Sequence, residues 1–446
     1  MLIFEIPSRP VGVPVQAGAK FLVRSGDALR PMSADELRSI FEEVAPDYSA
    51  QVEPSASLED LDSEAIETFR KQWKGRAGRR QLDALSAERL LADAELVTEE
   101  GVTIAALVLL GSERALSRLL PQSEVVFEYR SSDTVIAHQQ RIEYRKGFLG
   151  ILDQLWETIN LRNEVITYQD GLFRREIPVM NEAVVREAVL NAVVHRDYRL
   201  PGSVFLRQYP RQLIVSSPGG FPPGINAQNI LHRQSPRNRR IAEACARCGL
   251  VERSGQGADR MFEESLREGK AKPDYSAADD HQVTVVLNGE VRNPGFIRFL
   301  EKVSQERQLS FTVDDLLVLD ALDNEFAIEP KLQPNLTRLV REGIVERVGR
   351  GRGVRHVLSR RFYSFLGRTG AYTRQLGLDR QTNKELLLKH IRESDRRGAR
   401  LQDLQQVLPG LSRPQVQTLL RELRSEGRIR VEGLTRAARW FVVRPD

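Results

Sequence analysis

Apolar and polar positions along the chain alternate between two periods, and the switches mark its elements. Leu2–Ile6 and Lys20–Arg24 read as short strands around a Pro/Gly-rich turn. Ser33 through Glu43 predicts a helix, with Ser33 as N-cap and Glu36 three positions on, the pairing of a capping box. Residues 56–96 read as a polar helical stretch opened by Ser57–Leu58–Glu59–Asp60, Val102–Leu110 and Glu124–Tyr129 as strands, and Lys146–Leu161 as a long helix. In Glu182–Val194 (EAVVREAVLNAVV) apolar residues occupy nearly every direction, which predicts a buried helix. Strands Val204–Gln208 and Leu213–Ser216 follow. A Gly/Pro-rich loop leads to a helix at Ser235–Cys248, with Ser235 as N-cap and Pro236 at its first position. A helix at Gly257–Arg267 and a strand at His281–Leu287 close this part. Two patterns of three helices and a hairpin come next, at about 297–363 and 380–446, joined by a linker near 367–379. The expected class is α+β.

With 446 residues there is room for about three domains, and 41% hydrophobic against 28% charged residues is an ordinary globular balance. No apolar window approaches a membrane-spanning length and no secretory leader is visible, so a cytoplasmic protein without membrane partners is expected. Two cysteines are too few for a disulfide framework. Charge changes the picture more. The net charge is +5, yet Arg341–Asp446 holds 24 Lys and Arg against 11 Asp and Glu, a net of +13, so the remainder carries −8. Of those 24 cations 22 are Arg, whose fork pairs with phosphates and guanine edges. A basic tail of this kind predicts contact with nucleic acid, double-stranded DNA as the expected partner.

Two polar residues interrupt the buried helix. Glu187 and Asn191, spaced i, i+4, share one face, and burying both requires a partner for each. Hydrogen bonds to nearby backbone would serve; so would a metal-bound phosphate and a water, with Glu187 as general base and Asn191 offering its amide oxygen to Mg²⁺. Two glycine turns favour the second. Ser217–Pro218–Gly219–Gly220 follows a strand and lets a flat ligand approach the backbone. Ser254–Gly255–Gln256–Gly257 opens a helix whose N-terminal amides suit phosphate.

Residues Arg186–Tyr198 (REAVLNAVVHRDY), Ser216–Gly224 (SSPGGFPPG), Ser235–Asn238 (SPRN) and Gly249–Met261 (GLVERSGQGADRM) closely resemble the ATP-binding domain of transcriptional regulators often named after a RecG-like helicase. That domain is of the GHKL (Bergerat) type shared with gyrase, Hsp90, histidine kinases and MutL. The resemblance implies a GHKL α/β sandwich at 100–292, with ATP and Mg²⁺ as cofactors. It implies Glu187 as catalytic base and Asn191 as metal ligand. Ser217, Gly219 and Gly220 would form the adenine side, Gly255 and Gly257 the phosphate side, and residues around 224–240, with Arg237 and Asn238, a lid over the nucleotide. Two positions depart from the GHKL pattern: Ser217 stands where an Asp is usual, and Val194 where an acidic residue often follows the Asn. These imply nucleotide binding rather than rapid hydrolysis.

Three other motifs carry no such chemistry. His195–Arg196–Asp197 mimics a kinase catalytic loop without the accompanying Asn or D-F-G; capping of the preceding helix is the expected role. Cys245–Ala246–Arg247–Cys248 lacks a second ligand pair for zinc and reads as core packing. Gly-Lys occurs only at Gly269–Lys270–Ala271, which excludes a P-loop helicase motor.

In the tail, Ser412 caps a helix whose Val416, Leu419, Leu420 and Leu423 form the core stripe. Arg413, Gln417, Arg421 and Arg424 fall opposite, as groove-entering residues do. In the earlier unit Gly349–Arg350–Gly351–Arg352–Gly353 is a hairpin tip whose Arg350 and Arg352 could lie along phosphates. Winged helices are expected at 296–366 and 378–446. Residues 1–35 resemble the last strands of a Schlafen AlbA-like domain, and 36–99 read as a helical connector. Such isolated strands call for pairing with another chain, a homodimer among the arrangements, or for a longer protein. The expected function is an ATP-binding, DNA-binding transcriptional regulator. A DNA-linked ATPase and an interaction scaffold with a degenerate site are the alternatives.

Overall fold

A computed structural model describes residues 12–25, 28–42, 47–78, 80–132, 134, 137–170, 173–251, 257–292, 294–348, 354–359, 380–394, 398–408, 411–433 and 438–443. The Leu2–Ile6 strand, Gly255, Arg350 and Arg352 lie outside them. The chain divides into two compact units, Met1–Ser265 with Lys270–Val291, and Leu266–Gly269 with Arg292–Asp446.

The first unit begins with a small sheet of β1 (Gln16–Ala17), β2 (Lys20–Ser25) and β3 (Ala28–Pro31). Helix α1 (Ala34–Glu42) follows, started by the expected box: Glu36 accepts from the Ser33 amide at 2.7 Å, and the Ser33 hydroxyl accepts from the Glu36 amide at 3.2 Å. The stretch after it is not one helix. A single turn at Leu58–Asp60 gives way to α2 (Ser63–Ala77), capped by Asp62 and stopped by Gly78 at φ +63°. Helix α3 (Ala87–Asp93), capped by Ser86, and the pair β4 (Val97–Thr98) and β5 (Gly101–Val102) complete the stretch.

The expected strand Val102–Leu110 is for the most part helix α4 (Ile104–Leu110). Thr103 decides this: its hydroxyl accepts from the Ala106 amide at 3.2 Å and donates to the Leu96 carbonyl at 2.8 Å. All seven residues of IAALVLL are buried, so no periodicity could separate strand from helix. Gly147 lets the chain pass close; a Cβ there would lie 2.6 Å from the Leu110 carbonyl carbon.

After α5 (Glu113–Leu119) come β6 (Val125–Tyr129), β7 (Gln140–Tyr144), α6 (Phe148–Asn160), the hairpin β8 (Val165–Asp170) and β9 (Phe173–Pro178), and α7 (Glu182–Val194). Strands β10 (Val204–Tyr209) and β11 (Gln212–Pro218), helices α8 (Arg239–Arg247) and α9 (Gly257–Arg267), and β12 (Gln282–Asn288) follow. The five-stranded sheet runs β12-β11-β10-β6-β7 and is mixed: β10 and β6 are parallel, the other neighbours antiparallel. Val125, Phe127, Leu206, Leu213, Val215, Val285 and Leu287 are buried beneath the helices, a period-two pattern on one face. Helix α7 packs on β10, β11 and β12, and α8 packs against α2 and α4.

Helix α8 starts later than expected. Ser235 and Pro236 precede it, because Arg237 and Asn238 are held by tertiary bonds described below, and Asn238 sits at the N-cap position with φ −113°.

The second unit contains α10 (Pro294–Arg307), α11 (Val313–Asp323), α12 (Gln333–Arg341) and the hairpin β13 (Val345–Val348) and β14 (Arg355–Leu358). It continues with α13 (Arg380–Glu393), β15 (Ala399–Arg400), α14 (Leu401–Val407), α15 (Arg413–Ser425), β16 (Ile429–Glu432) and β17 (Arg439–Val442), the strands in order β15-β17-β16. Val416, Leu419, Leu420 and Leu423 of α15 join Leu386, Leu387, Leu404 and Ile429 in one core. The architecture is α+β: helices layered on a mixed sheet in the first unit, and helices with small antiparallel sheets in the second.

Candidate functional site

A cavity of about 850 Å³ opens between α7, α8, the start of α9 and the ends of β11 and β12. Glu187 and Asn191 line it, as the i, i+4 spacing on α7 required. The Asn191 Nδ2 donates to Glu187 Oε1 at 3.1 Å. This turns the amide oxygen of Asn191 to the role of acceptor, the donor type a hard cation takes. Among the described residues no group of three or more His, Cys, Asp or Glu could hold a metal. A Mg²⁺ here would therefore draw its other ligands from a phosphate and water, which is how that ion is usually held.

Gly257, the first residue of α9, is packed onto the carboxylate of Glu187: a Cβ would lie 1.9 Å from Oε1. Only glycine fits. Ser217 is buried, lines the cavity and donates its proton to the Ala192 carbonyl at 2.6 Å. With the proton committed, the hydroxyl presents lone pairs alone, so it acts toward the cavity as the acceptor that a carboxylate would be. Gly219 also lines it, at φ +95°, where a Cβ would meet that of Asp197 at 2.8 Å. Gly220 lies against the Asp280 backbone, its hypothetical Cβ 2.6 Å from that carbonyl oxygen.

Gly220, Arg237 and Asn238 are not among the cavity-lining residues, and the two side chains are spent on the protein. Arg237 pairs with Asp197 Oδ2 at 2.9 Å and donates to the Gly220 carbonyl at 2.7 Å. Asn238 donates to the carbonyls of Val194 and Arg196 at 2.8 and 2.7 Å. They tie the loop before α8 to the end of α7 and to the glycine turn, a supporting geometry rather than a contact surface.

His195 ends α7 and lines the cavity; its Nδ1 is shut off from water with no hydrogen-bond partner. Burial, aided by the charge of Arg237, lowers its pKa to about 4. For Asp197 burial acts upward, but hydrogen bonds from Arg199 and the charge of Arg237 outweigh it and hold the carboxyl low. Arg196 is fully buried and donates to the carbonyls of Asp197, Leu200 and Gly202 at 2.6, 2.9 and 2.6 Å. The His-Arg-Asp run is thus a structural knot at the helix end. His195 binds its proton more weakly folded than unfolded (near 6.5), so its contribution is fully present above pH 6.5 and declines as pH falls toward 4. Thermal melts of wild type and His195→Asn across that window check this: the substitution should flatten the slope.

Several lining residues had no signal in sequence reasoning. Tyr275 and Phe221 meet at a tilt of 52° with ring centroids 5.9 Å apart, and burial, then the charge of Glu187, pushes the Tyr275 phenol up. Val283 and Val285 reach the cavity from β12, and Glu95 from the segment before β4. Only the strand alternation of β12 could have pointed to the two valines. Cys245 and Cys248 are both free and buried; burial raises both thiols, that of Cys248 to about 12, as core packing requires.

In the second unit, Arg413, Gln417, Arg421 and Arg424 are all exposed on α15, opposite its buried stripe.

Residues 202–287 match the family model described as "Putative ATP-dependent DNA helicase recG C-terminal". Over that stretch the chain is similar to a RecG-type, ATPase-like domain. The match begins after α7, so Ser217, Gly219 and Gly257 fall inside it while Glu187 and Asn191 precede it. Residues 38–126 match a domain of unknown function. The crystal structure of the DIP2311 protein from Corynebacterium diphtheriae has a similar fold: TM-score 0.59, 24% identity, covering 78% of this chain and 71% of that one. No curated protein matches the chain. Among the described residues no helix is long and apolar enough to cross a membrane.

Proposed function

We propose that this chain is an ATP-binding, DNA-binding transcriptional regulator, in which a GHKL-type cleft takes ATP with Mg²⁺ and two winged helices contact DNA. The observation that carries the nucleotide half is the convergence of Glu187, Asn191, Ser217, Gly219 and Gly257 on one cavity. Adenine would lie over the Gly219 turn, its amine toward the Ser217 oxygen. The triphosphate would meet the α9 N-terminus, whose amides favour anions. Asn191 would hold Mg²⁺, which neutralises phosphate charge when bound. Glu187, beside Gly257, would accept a proton from a water near the terminal phosphate.

Calorimetry with ATP, ADP and Mg²⁺ tests this half; absence of binding to ATP–Mg would overturn it. Glu187 itself supports a second reading, a DNA-linked ATPase, since a regulator that only binds nucleotide does not require a base. Glu187→Gln with ATP binding retained and turnover lost would favour that reading.

The DNA half draws support from the exposed Arg413, Gln417, Arg421 and Arg424 and from the cationic tail. Arg421→Ala with Arg424→Ala should weaken binding to duplex DNA and lower the salt slope by about 1.8, near 0.9 for each phosphate no longer neutralised. An unchanged slope in titrations at several salt concentrations would reject α15 as the reading helix.

A further inference from the structure

Helix α8 offers one face to the core and another to the cavity. Ile241, Ala244 and Cys245 are buried, and the Cys248 thiol lies 4.0 Å from the Phe69 carbonyl oxygen, which sets the rotation of the helix. The opposite stripe, Arg239, Ala242, Glu243, Ala246 and Arg247, spaced i, i+3, i+4, i+7, i+8, lines the cavity. Glu243 pairs with Arg239 at 2.9 Å, and Ala242 and Ala246 leave the middle of the stripe bare. At its far end Arg247 is fixed in place. Its guanidinium carbon lies 5.0 Å from the Trp73 ring centroid, and Nη1 donates to the Asp93 carbonyl at 2.9 Å. Trp73 is buried and packed on Phe69, ring centroids 5.5 Å apart.

Trp73 and Asp93 belong to the 38–126 stretch, to which no role attaches. That stretch also supplies Glu95, which lines the cavity from a left-handed backbone conformation (φ +57°) and pairs with Arg240. The N-terminal end of α8 is anchored beside the glycine turn, since Arg237 and Asn238 bind Gly220, Val194 and Arg196. Eight residues of helix put Arg247 about 12 Å along from Arg239. With a base at the glycine turn, that length of helix would put Arg247 past the ribose and toward an extended polyphosphate.

We infer that Arg247 is a binding residue for the phosphate end of the nucleotide, and that Trp73 and Asp93 position it, making the 38–126 stretch a wall of the cavity. The inference rests on the proposed nucleotide site and adds to it the device that separates a nucleoside polyphosphate from a nucleoside. A guanidinium stacked on a buried indole meets phosphate with its geometry already set.

Calorimetry on the full chain with ATP, ADP and adenosine, at constant Mg²⁺, tests it. Arg247→Gln should weaken ATP about tenfold, the worth of one charge-assisted hydrogen bond, and leave adenosine unchanged. Unchanged adenosine affinity also reports an intact cavity. Trp73→Leu should lower the ATP-to-adenosine affinity ratio while the arginine remains, and Trp73→Phe should restore it. Equal losses for ATP and adenosine, or no loss for ATP, overturn the inference. Should Arg247→Gln fail to fold, Trp73→Leu decides alone, and a wild-type ratio there overturns it. Wild-type protein that binds neither ligand rejects the nucleotide site and this inference with it; wild type that binds ATP while Arg247→Gln binds it equally well rejects the inference only.

Discussion

Gly257→Ala is expected to reduce ATP affinity about a hundredfold, roughly 3 kcal/mol. The new methyl group would sit 1.9 Å from Glu187 Oε1 and 2.7 Å from its carboxyl carbon, far inside van der Waals separation. Either the carboxylate swings out, breaking its bond from Asn191, or the first turn of α9 moves away from the cavity. Each outcome would spoil the arrangement that the phosphates would meet. Titration calorimetry on the substituted protein reads the change, with thermal melts as a check on folding. Affinity within about threefold of wild type would mean that the phosphates lie elsewhere.

Asp315→Ala is expected to destabilise the second unit by about 2–3 kcal/mol, below the range for a fully buried ion pair because Arg338 is one-third exposed. Asp315 is fully buried in α11, where it is bound by Arg338 and by Asn335 Nδ2 at 3.0 Å from α12. It also accepts from the Thr312 amide at 2.8 Å and hydroxyl at 2.7 Å, closing a capping box. One carboxylate therefore starts one helix and locks the next. Its loss leaves the partly exposed Arg338 without its carboxylate and three further donors, Asn335 Nδ2 and the Thr312 amide and hydroxyl, without their acceptor. Asp315→Asn, which keeps the shape, should cost less. Denaturant unfolding followed by the fluorescence of Trp440 gives the comparison, and equal midpoints for wild type and Asp315→Ala would sink it.

Much of the candidate site was legible because it depends on helical phase. Glu187 and Asn191 had to share a face of α7, a glycine turn had to follow β11, and a glycine, Gly257, had to open α9. The exposed arginines of α15 follow from the same arithmetic, since Val416, Leu419, Leu420 and Leu423 assign the inner face. Local pattern says less where a side chain's partner lies far away in sequence. Arg237 and Asn238 read as ligand contacts, yet Asp197, Gly220 and Val194 take them, and those bonds also delay the start of α8. Residues 56–96 read as one polar helical run, but Gly78 and the caps Asp62 and Ser86 divide it.

The sequence by itself determined the periodic faces, the caps and the charge asymmetry, because each is set by neighbours within a turn or two of the chain. Tertiary structure alone decided that IAALVLL is a helix, that Ser217 turns its proton inward, and that Trp73 and Arg247 meet across 174 positions of the chain. A fully buried apolar run has no wet face to reveal its period. A hydroxyl's direction and a cation's stacking partner depend on what the fold brings near.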